Sequence, residues 1–364
     1  MDITFLGTAS AQPSSTRNHS SLALRLGSDV WLFDCGEATQ HQIQKSTVKM
    51  GRIKKIFITH THGDHIFGII PLLSSRLNGA GGLAAGHEDP RPLEIYGPYG
   101  TRAYIRTGLT YTHTLLNSPY VVHELRTLSD SQDGDNTNLQ LNPAELPNGR
   151  NILQVDGLWE AIFADASVSI SAAPILHSVP CIGYVITEAP VPGKMDPTQY
   201  TDHLTRNNVP RSVLGRIQRG ESIELLDGTI LQPPPRRKGR KLVILGDTHD
   251  PSAIAPLAMD ADLLIHEATN AHLPGVDPNT KDSDTYETVE ARAKSRGHST
   301  PQMAGVFARR IRAKKLVLNH FSSRYGSAYQ CQEAMYIMDG IRRLAVSEYG
   351  GEVINAEDFM SIYV

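Results

Sequence analysis

The stretch Ile56 to Gly68, IFITHTHGDHIFG, decides how this chain folds. It closes an apolar run, Ile53 to Thr59, that reads as a buried strand. After the loop His60 to Asp64, the apolar stretch Ile66 to Leu77 predicts a helix. Between the two, His60, His62, Asp64 and His65 pack three imidazoles and a carboxylate into six positions. Such density is costly without a metal to share it. Zinc takes imidazole and carboxylate ligands at about 2.0 to 2.2 Å, and a catalytic site keeps a position open for water. His60 and His62 alternate along an extended segment and can point the same way. Asp64 and His65 follow the Gly63 turn and can reach a second ion.

Working outward, Asp2 to Leu6, Ser21 to Leu26 and Val30 to Asp34 are short, apolar or alternating, and separated by Gly, Ser and Asn, as in an opening meander of strands. The order of strand then polar residue recurs three times: Val168 to Leu176 runs into His177, Lys241 to Gly246 into Asp247, and Lys314 to Asn319 into His320. Loops at the strand ends of a layered α/β domain converge on one edge, so these residues are expected to share one cluster. Ser299-Thr300-Pro301 supplies a hydroxyl cap and a proline at the first helical position, predicting a helix to about Ile311 with His298 at its entrance. Asn78 to Pro92 and Ser129 to Arg150 read as surface loops. Ala189 to Lys241, which contains Pro233-Pro234-Pro235, interrupts the pattern.

The formal net charge of −3 excludes a wholly basic nucleic-acid binder but leaves room for a local patch. Ala189 to Lys241 is that patch, with ten Lys or Arg against five Asp or Glu. No signal-peptide pattern opens the chain and no apolar run approaches a bilayer span, so a soluble intracellular protein is expected, in cytoplasm, nucleus or mitochondrion, with no membrane partner. Cys35, Cys181 and Cys331 are odd in number and widely spaced, and all are expected to be buried thiols.

The motif at His60 to His65 resembles the His-x-His-x-Asp-His signature of the metallo-β-lactamase superfamily. That resemblance implies an α/β fold, the four-layer αβ/βα sandwich, in one domain over 1–364. It implies two Zn2+ per subunit: His60, His62, His177 and Asp247 on the first, and Asp64, His65, Asp247 and His320 on the second. Asp34, in Phe33-Asp34-Cys35-Gly36, resembles the superfamily's buried acid that orients the metal loop.

His266-Glu267-Ala268-Thr269 and His298-Ser299-Thr300 look like the HEAT and HST motifs of the tRNase Z family, and that resemblance runs through nearly the whole chain. It implies a zinc-dependent endoribonuclease that removes the 3′ trailer of precursor tRNA. Its chemistry would fall to Asp64, Glu267 and His298, with Glu267 polarising His298 as the acid for the leaving 3′ oxygen. It implies a homodimer, and it makes 189–241 a flexible inserted exosite arm gripping tRNA, with Lys194, Arg211 and Arg216 among its contacts. Arg17 and Asn18, in a loop where Ser15 stands for the family's Lys, and Ser322 and Arg324, after His320, are further expected RNA contacts. The alternative is a small-molecule phosphodiesterase or arylsulfatase of the same superfamily.

Overall fold

Strands buried along nearly their whole length dominate the first sixty residues, where the longest helix, Thr39–Lys45, has seven residues. The structure, a computed structural model, describes residues 1–79, 91–135 and 137–364. Of the expected loop Asn78 to Pro92, the stretch 80–90 lies outside the described residues. Strands Asp2–Gly7, Ser21–Leu26 and Asp29–Phe33 form the antiparallel meander, and Ile53–Phe57, Leu93–Pro98, Tyr120–Arg126 and Asn151–Leu153 follow in parallel. Ser361–Tyr363 pairs back on Asp2–Gly7 and closes the other edge of this eight-stranded sheet.

The second sheet has seven strands in the order Glu352–Asn355, Lys315–Asn319, Leu263–Glu267, Lys241–Ile244, Cys181–Glu188, Val168–Ile175, Trp159–Ala164. The first four of these run parallel. Parallel strands buried on both faces read as continuous apolar runs, which is how Leu263, Leu264 and Ile265 read.

Each sheet covers its outer face with helices. On the first, Ile69–Leu77 buries Ile69, Leu72, Leu73, Arg76 and Leu77, a stripe of helical period. Its apolar members pack with Ile43, Ile56, Ile95 and Ile105. On the second, Gln332–Tyr349 turns Ile337, Met338, Ile341 and Ala345 inward to meet Phe307 and Ala308 of the helix Pro301–Arg310. Between the sheets lies an aromatic layer. Phe57 stacks on Phe33 at 4.9 Å and on Tyr96 at 5.0 Å, and Tyr184 of the second sheet meets Phe57 edge-on and donates to the Ile58 carbonyl at 2.7 Å. Helix, sheet, sheet, helix is the four-layer order the sequence led one to expect.

Three expectations need correction. The helix expected over Ile66 to Leu77 is broken into Gly63–Ile66 and Ile69–Leu77. At the break the Gly68 amide donates to Cys35 O at 2.9 Å, and any Cβ there would sit 2.0 Å from Gly36 O, so close backbone approach wins over helix continuity. Cys331 is exposed and caps the helix Gln332–Tyr349, while Cys35 and Cys181 are buried. The loop Ser129 to Arg150 is not wholly at the surface: Glu145 is buried and takes a two-pronged ion pair from Arg106 at 2.8 and 2.9 Å.

The chain divides into two compact units, one of Met1–Phe163, Ile170–Ile186 and Lys241–Val364, the other of Ala164–Ser169 and Thr187–Arg240. The second has its own small core, in which Tyr200 and Leu204 of the helix Thr198–Arg206 pack with Ile217, Leu225 and Leu231. Its Pro-rich, basic composition hides these spaced apolar residues. Among the described residues no helix is long and apolar enough to cross a membrane.

Candidate metal centre

Register in the parallel strands brings the polar residues together. Phe33 pairs with Phe57, so Asp34 and Thr59 leave adjacent strands at the same level, and Glu267 pairs with Asn319, which places His320 beside it. Asp34 and His320 both take positive φ, 59° and 57°, turning the chain sharply as each strand ends. Non-glycine residues adopt that conformation at a cost, and they concentrate at functional sites.

The side chains fall into two sets. In the first, His62 Nδ1 lies 3.1 Å from His60 Nε2 and 3.2 Å from His177 Nε2, and Asp247 Oδ2 faces His60 and His177 at 3.8 and 3.9 Å. In the second, His65 Nε2 lies 3.1 Å from His320 Nε2, 3.5 Å from Asp64 Oδ2 and 3.4 Å from Asp247 Oδ1; His320 Nε2 lies 3.3 Å from both carboxylates. Donor atoms held tetrahedrally at zinc distances stand about 3.3 Å apart, so the second set has the spacing a single ion requires.

The far nitrogens of four of these rings are tied down. His65 Nδ1 donates to Asp34 at 2.6 Å, His177 Nδ1 to the Gly297 carbonyl at 2.8 Å and His60 Nδ1 to Thr59 Oγ1 at 3.0 Å, while His320 Nδ1 stands 3.3 Å from Thr269 Oγ1. Protons fixed on those atoms leave the facing nitrogens as bare lone pairs. Two bare nitrogens 3.1 Å apart cannot hydrogen-bond each other, and a cation between them resolves the conflict. The donor set therefore fits metal ions. Burial, followed by the neighbouring imidazoles, lowers His60 far below its ordinary range despite Asp247, which favours the neutral form a ligand needs. Burial pushes the Asp64 pKa up, but positive charge at His320 and His65, which those rings carry when protonated and a cation supplies when they are neutral ligands, outweighs that and holds it well below the carboxylate range. Its Oδ2 also accepts from the Ala11 amide at 2.8 Å.

Beside this cluster Glu267 is buried and saturated. It accepts from the Thr248 amide at 2.7 Å, the Thr269 hydroxyl at 2.5 Å and His298 Nδ1 at 3.1 Å. Burial lowers the His298 pKa, yet Glu267 first, then Asp247 and Asp64, outweigh it and raise it to about 9. With Nδ1 committed to Glu267, Nε2 is the free, proton-bearing atom, on a ring 3.8 Å from Asp247. Gly297, just before it, has φ of 81°, and a Cβ there would lie 2.5 Å from His177 Nδ1, so glycine is needed to pass the ring. Thr300 caps the following helix as expected, accepting from the Met303 amide at 3.4 Å.

The structure thus gathers His60, His62, Asp64, His65, His177, Asp247, Glu267, His298 and His320. It treats the expected RNA contacts less evenly. Arg17 is 1% exposed, donates to Tyr325 O, Ala356 O and Thr8 Oγ1, and pairs with Glu357 at 3.1 Å. It pins its loop from inside and has no donor left for RNA. Asn18 and Ser322 are half-buried; the Asn18 side chain donates to Glu37 O at 2.8 Å and the Ser322 amide to Thr269 O at 3.1 Å. Arg324 lies over the Tyr325 ring, its Nε 3.5 Å from Asp277. Lys194, Arg211 and Arg216 are exposed in the second unit, Arg216 paired with Glu221 at 2.7 Å.

Thr248 and Thr269, which hold Glu267, were not legible as functional. Their one signal is adjacency, each closing a short motif that begins with an acid or a histidine. Asp34 is the outer residue with the clearest consequence. It accepts from Thr59 N at 2.7 Å, Thr59 Oγ1 at 2.9 Å and His65, and so steers both histidine rows. Asp34→Ala is expected to weaken metal retention about 10- to 100-fold, as loss of such outer partners does, with activity returning in excess zinc. Metal content after graded chelator dialysis checks this, and wild-type retention would exclude the role.

Similar proteins share this arrangement of chain. The family model described as Anti-Pycsar protein Apyc1 matches residues 1–77, the opening meander and first motif. Zinc phosphodiesterase ELAC protein 1 of Bos taurus is 39% identical over 100% of this chain and 98% of its own length. Ribonuclease Z of Bacillus subtilis is 36% identical, covering 89% of each. The crystal structure of human tRNase Z, short form, matches 100% of this chain and 99% of its own with a TM-score of 0.65 at 34% identity. The metallo-β-lactamase fold protein YhfI of Bacillus subtilis, at 18% identity and a TM-score of 0.56, shares the fold. Matched over 89% to 100% of its length by proteins of these names, the chain belongs to the ribonuclease Z (tRNase Z) family of the metallo-β-lactamase fold.

Proposed function

We propose that this chain is a zinc-dependent endoribonuclease that removes the 3′ trailer from precursor tRNA, leaving a 3′ hydroxyl on the tRNA and a 5′ phosphate on the trailer. The observation that carries it is the Glu267–His298 pair, 3.1 Å apart and bordering Asp247, on a chain matched along its whole length by human tRNase Z, short form. Two Zn2+ would be held, one by His60, His62, His177 and Asp247, the other by Asp64, His65, Asp247 and His320; bound there, they supply Lewis-acid charge for displacement at phosphorus.

The chain's own residues do the rest. Asp64, whose Oδ2 is steadied by the Ala11 amide, takes the proton of the attacking water in this reading. His298 gives the proton on Nε2 to the departing 3′ oxygen, a step general acids accelerate by about 10²- to 10⁴-fold. Glu267 keeps the imidazole charged beforehand and oriented throughout. The Thr248 amide and Thr269 hydroxyl keep Glu267 from turning.

Thr187–Arg240 serves as the tRNA-gripping arm, and in a homodimer each arm serves the partner's site. Lys194, Arg206, Arg211, Arg236 and Lys238 are exposed on it with no carboxylate partner among the described residues. Phosphates met by such side chains give affinity that falls with salt and reads no sequence. Deleting Pro192 to Pro235 removes the arm's core and none of the residues of the helix-sheet cores described above. Cleavage of precursor tRNA is expected to fall more than about tenfold through KM, with hydrolysis of bis(p-nitrophenyl) phosphate within about twofold of wild type. Equal loss on both substrates would count against a gripping arm.

The deciding experiment is incubation with a 3′-extended precursor tRNA, with and without chelator, and mapping of both product ends. Release of a 5′-phosphorylated trailer that stops with chelator supports the proposal. A metal-loaded enzyme that hydrolyses small phosphodiesters and leaves the precursor whole would overturn it.

A further inference from the structure

Next to the metal centre, and not part of it, is a small polar cavity of about 110 Å³ lined by Asn270, Asn279, Arg292, Arg296 and Arg324 among others. The guanidinium groups reach it from separate places. Arg292 belongs to the last turn of the helix Tyr286–Ser295, Arg296 is that helix's C-cap two residues before His298, and Arg324 follows His320 on its loop. Asn270 continues directly from Thr269, whose hydroxyl holds Glu267, and Arg296 stands two residues before His298, so the cavity is lined by chain neighbours of the Glu267–His298 pair.

The charges do not balance. Arg292 is ion-paired at 2.5 Å with Asp284, which lines the same cavity, and Arg324 Nε faces Asp277 Oδ2 at 3.5 Å, which leaves Arg296 as the uncompensated charge. Arg296 is exposed and has no carboxylate partner among the described residues. Like charges gathered in one cavity repel, and an anion among them removes that cost. Guanidinium forks and amide N–H groups are the donors that match phosphate oxygens. Arg324 is held in place, its guanidinium carbon 4.7 Å from the centre of the Tyr325 ring and its Nη2 donating to the Tyr325 hydroxyl.

We propose that this cavity seats one backbone phosphate of the RNA substrate, a phosphate other than the one being cut, and so sets the register of the strand against His298. The proposal rests on the endoribonuclease reading of the metal centre. Arg296 and Arg324 are the residues that grip; Arg292, tied to Asp284, shapes the wall.

The test uses full-length, metal-loaded enzyme carrying Arg296→Gln, Arg324→Gln or both, with Arg296→Lys as the variant that keeps charge and fold. For the double variant, KM for precursor tRNA is expected to rise about tenfold. The slope of log Kd against log salt, measured by RNA binding with chelator present, is expected to shrink by about 0.7 to 0.9, the contribution of one phosphate. Metal content and hydrolysis of bis(p-nitrophenyl) phosphate, which has no neighbouring phosphate to seat, stay at wild type. Arg296→Lys keeps the wild-type slope. A double variant with wild-type slope and KM overturns the proposal, and so does a parallel loss on the small diester, which would make the arginines supports of the centre. If wild type itself leaves precursor tRNA uncut, the endoribonuclease reading fails; if wild type cuts and the variants match it, this inference alone fails.

Discussion

His298→Ala is expected to lower the rate of precursor tRNA cleavage by about 10²- to 10⁴-fold while metal content stays within error of wild type. The separation follows from geometry. His298 Nδ1 is committed to Glu267 at 3.1 Å and stands 3.8 Å from Asp247, so it contributes to neither of the two proposed donor sets. Removing it takes away a proton donor and leaves the ligands untouched. The leaving group sharpens the test. A 3′ alkoxide needs protonation to depart, whereas p-nitrophenolate leaves unaided, so His298→Ala should lose far less on bis(p-nitrophenyl) phosphate. Single-turnover rates on both substrates, with metal analysis on the same preparations, check this. Equal losses on both would remove His298 from the leaving-group step; an unchanged rate on precursor tRNA would remove it from the mechanism. Glu267→Gln is expected to share the direction with a smaller loss, because an amide still holds the ring and no longer favours its charged form.

Most residues of this centre were legible in sequence because they end or follow an apolar strand, and parallel register carries strand ends to one edge; His298 was legible instead from the helix start at Ser299-Thr300-Pro301. His60 to His65 show it within a single loop; Glu267 and His320 show it across neighbouring strands whose last residues pair. What a side chain reaches after leaving the strand was less legible. Arg17 sits in a loop of Pro, Ser, Thr and Asn, where arginine reads as a solvent-facing phosphate contact. Its partners Tyr325 and Ala356 lie more than three hundred residues away in the chain, and no local pattern marks them. Thr248 and Thr269 were opaque for the same reason, since a threonine's role is decided by the carboxylate it meets. The arm shows the converse. Composition marked Ala189 to Lys241 as a basic patch interrupting the pattern and showed no core, but a few apolar residues spaced along it, Tyr200, Leu204, Ile217, Leu225 and Leu231, suffice for a small one.

Asp247→Ala should do what His298→Ala does not and lower metal content and activity together. Among the described residues Asp247 is the carboxylate that faces both donor sets. Its Oδ1 lies 3.4 Å from His65 and 3.3 Å from His320, and its Oδ2 lies 3.8 Å from His60 and 3.9 Å from His177. Burial alone would favour the neutral acid, yet positive charge at His320 and then His65 outweighs it and holds the carboxylate well below its usual range, ionised as a ligand between cations must be. Alanine leaves each set one donor short and removes the negative charge that offsets two divalent ions. Loss of an outer-shell partner costs about 10- to 100-fold in affinity, so loss of a directly shared ligand is expected to exceed about 100-fold. Wild type purified with zinc should carry about two ions per chain, and Asp247→Ala one or fewer after the same dialysis. Asp247→Asn adds a discriminating case, because its single carbonyl oxygen can serve one set and its NH2 cannot serve the other. An Asn variant that holds one ion and is inactive on precursor tRNA would show that the shared carboxylate matters because two ions act together. A variant retaining both ions would mean that Asp247 is not the bridge, and the division of ligands between two ions would have to be redrawn.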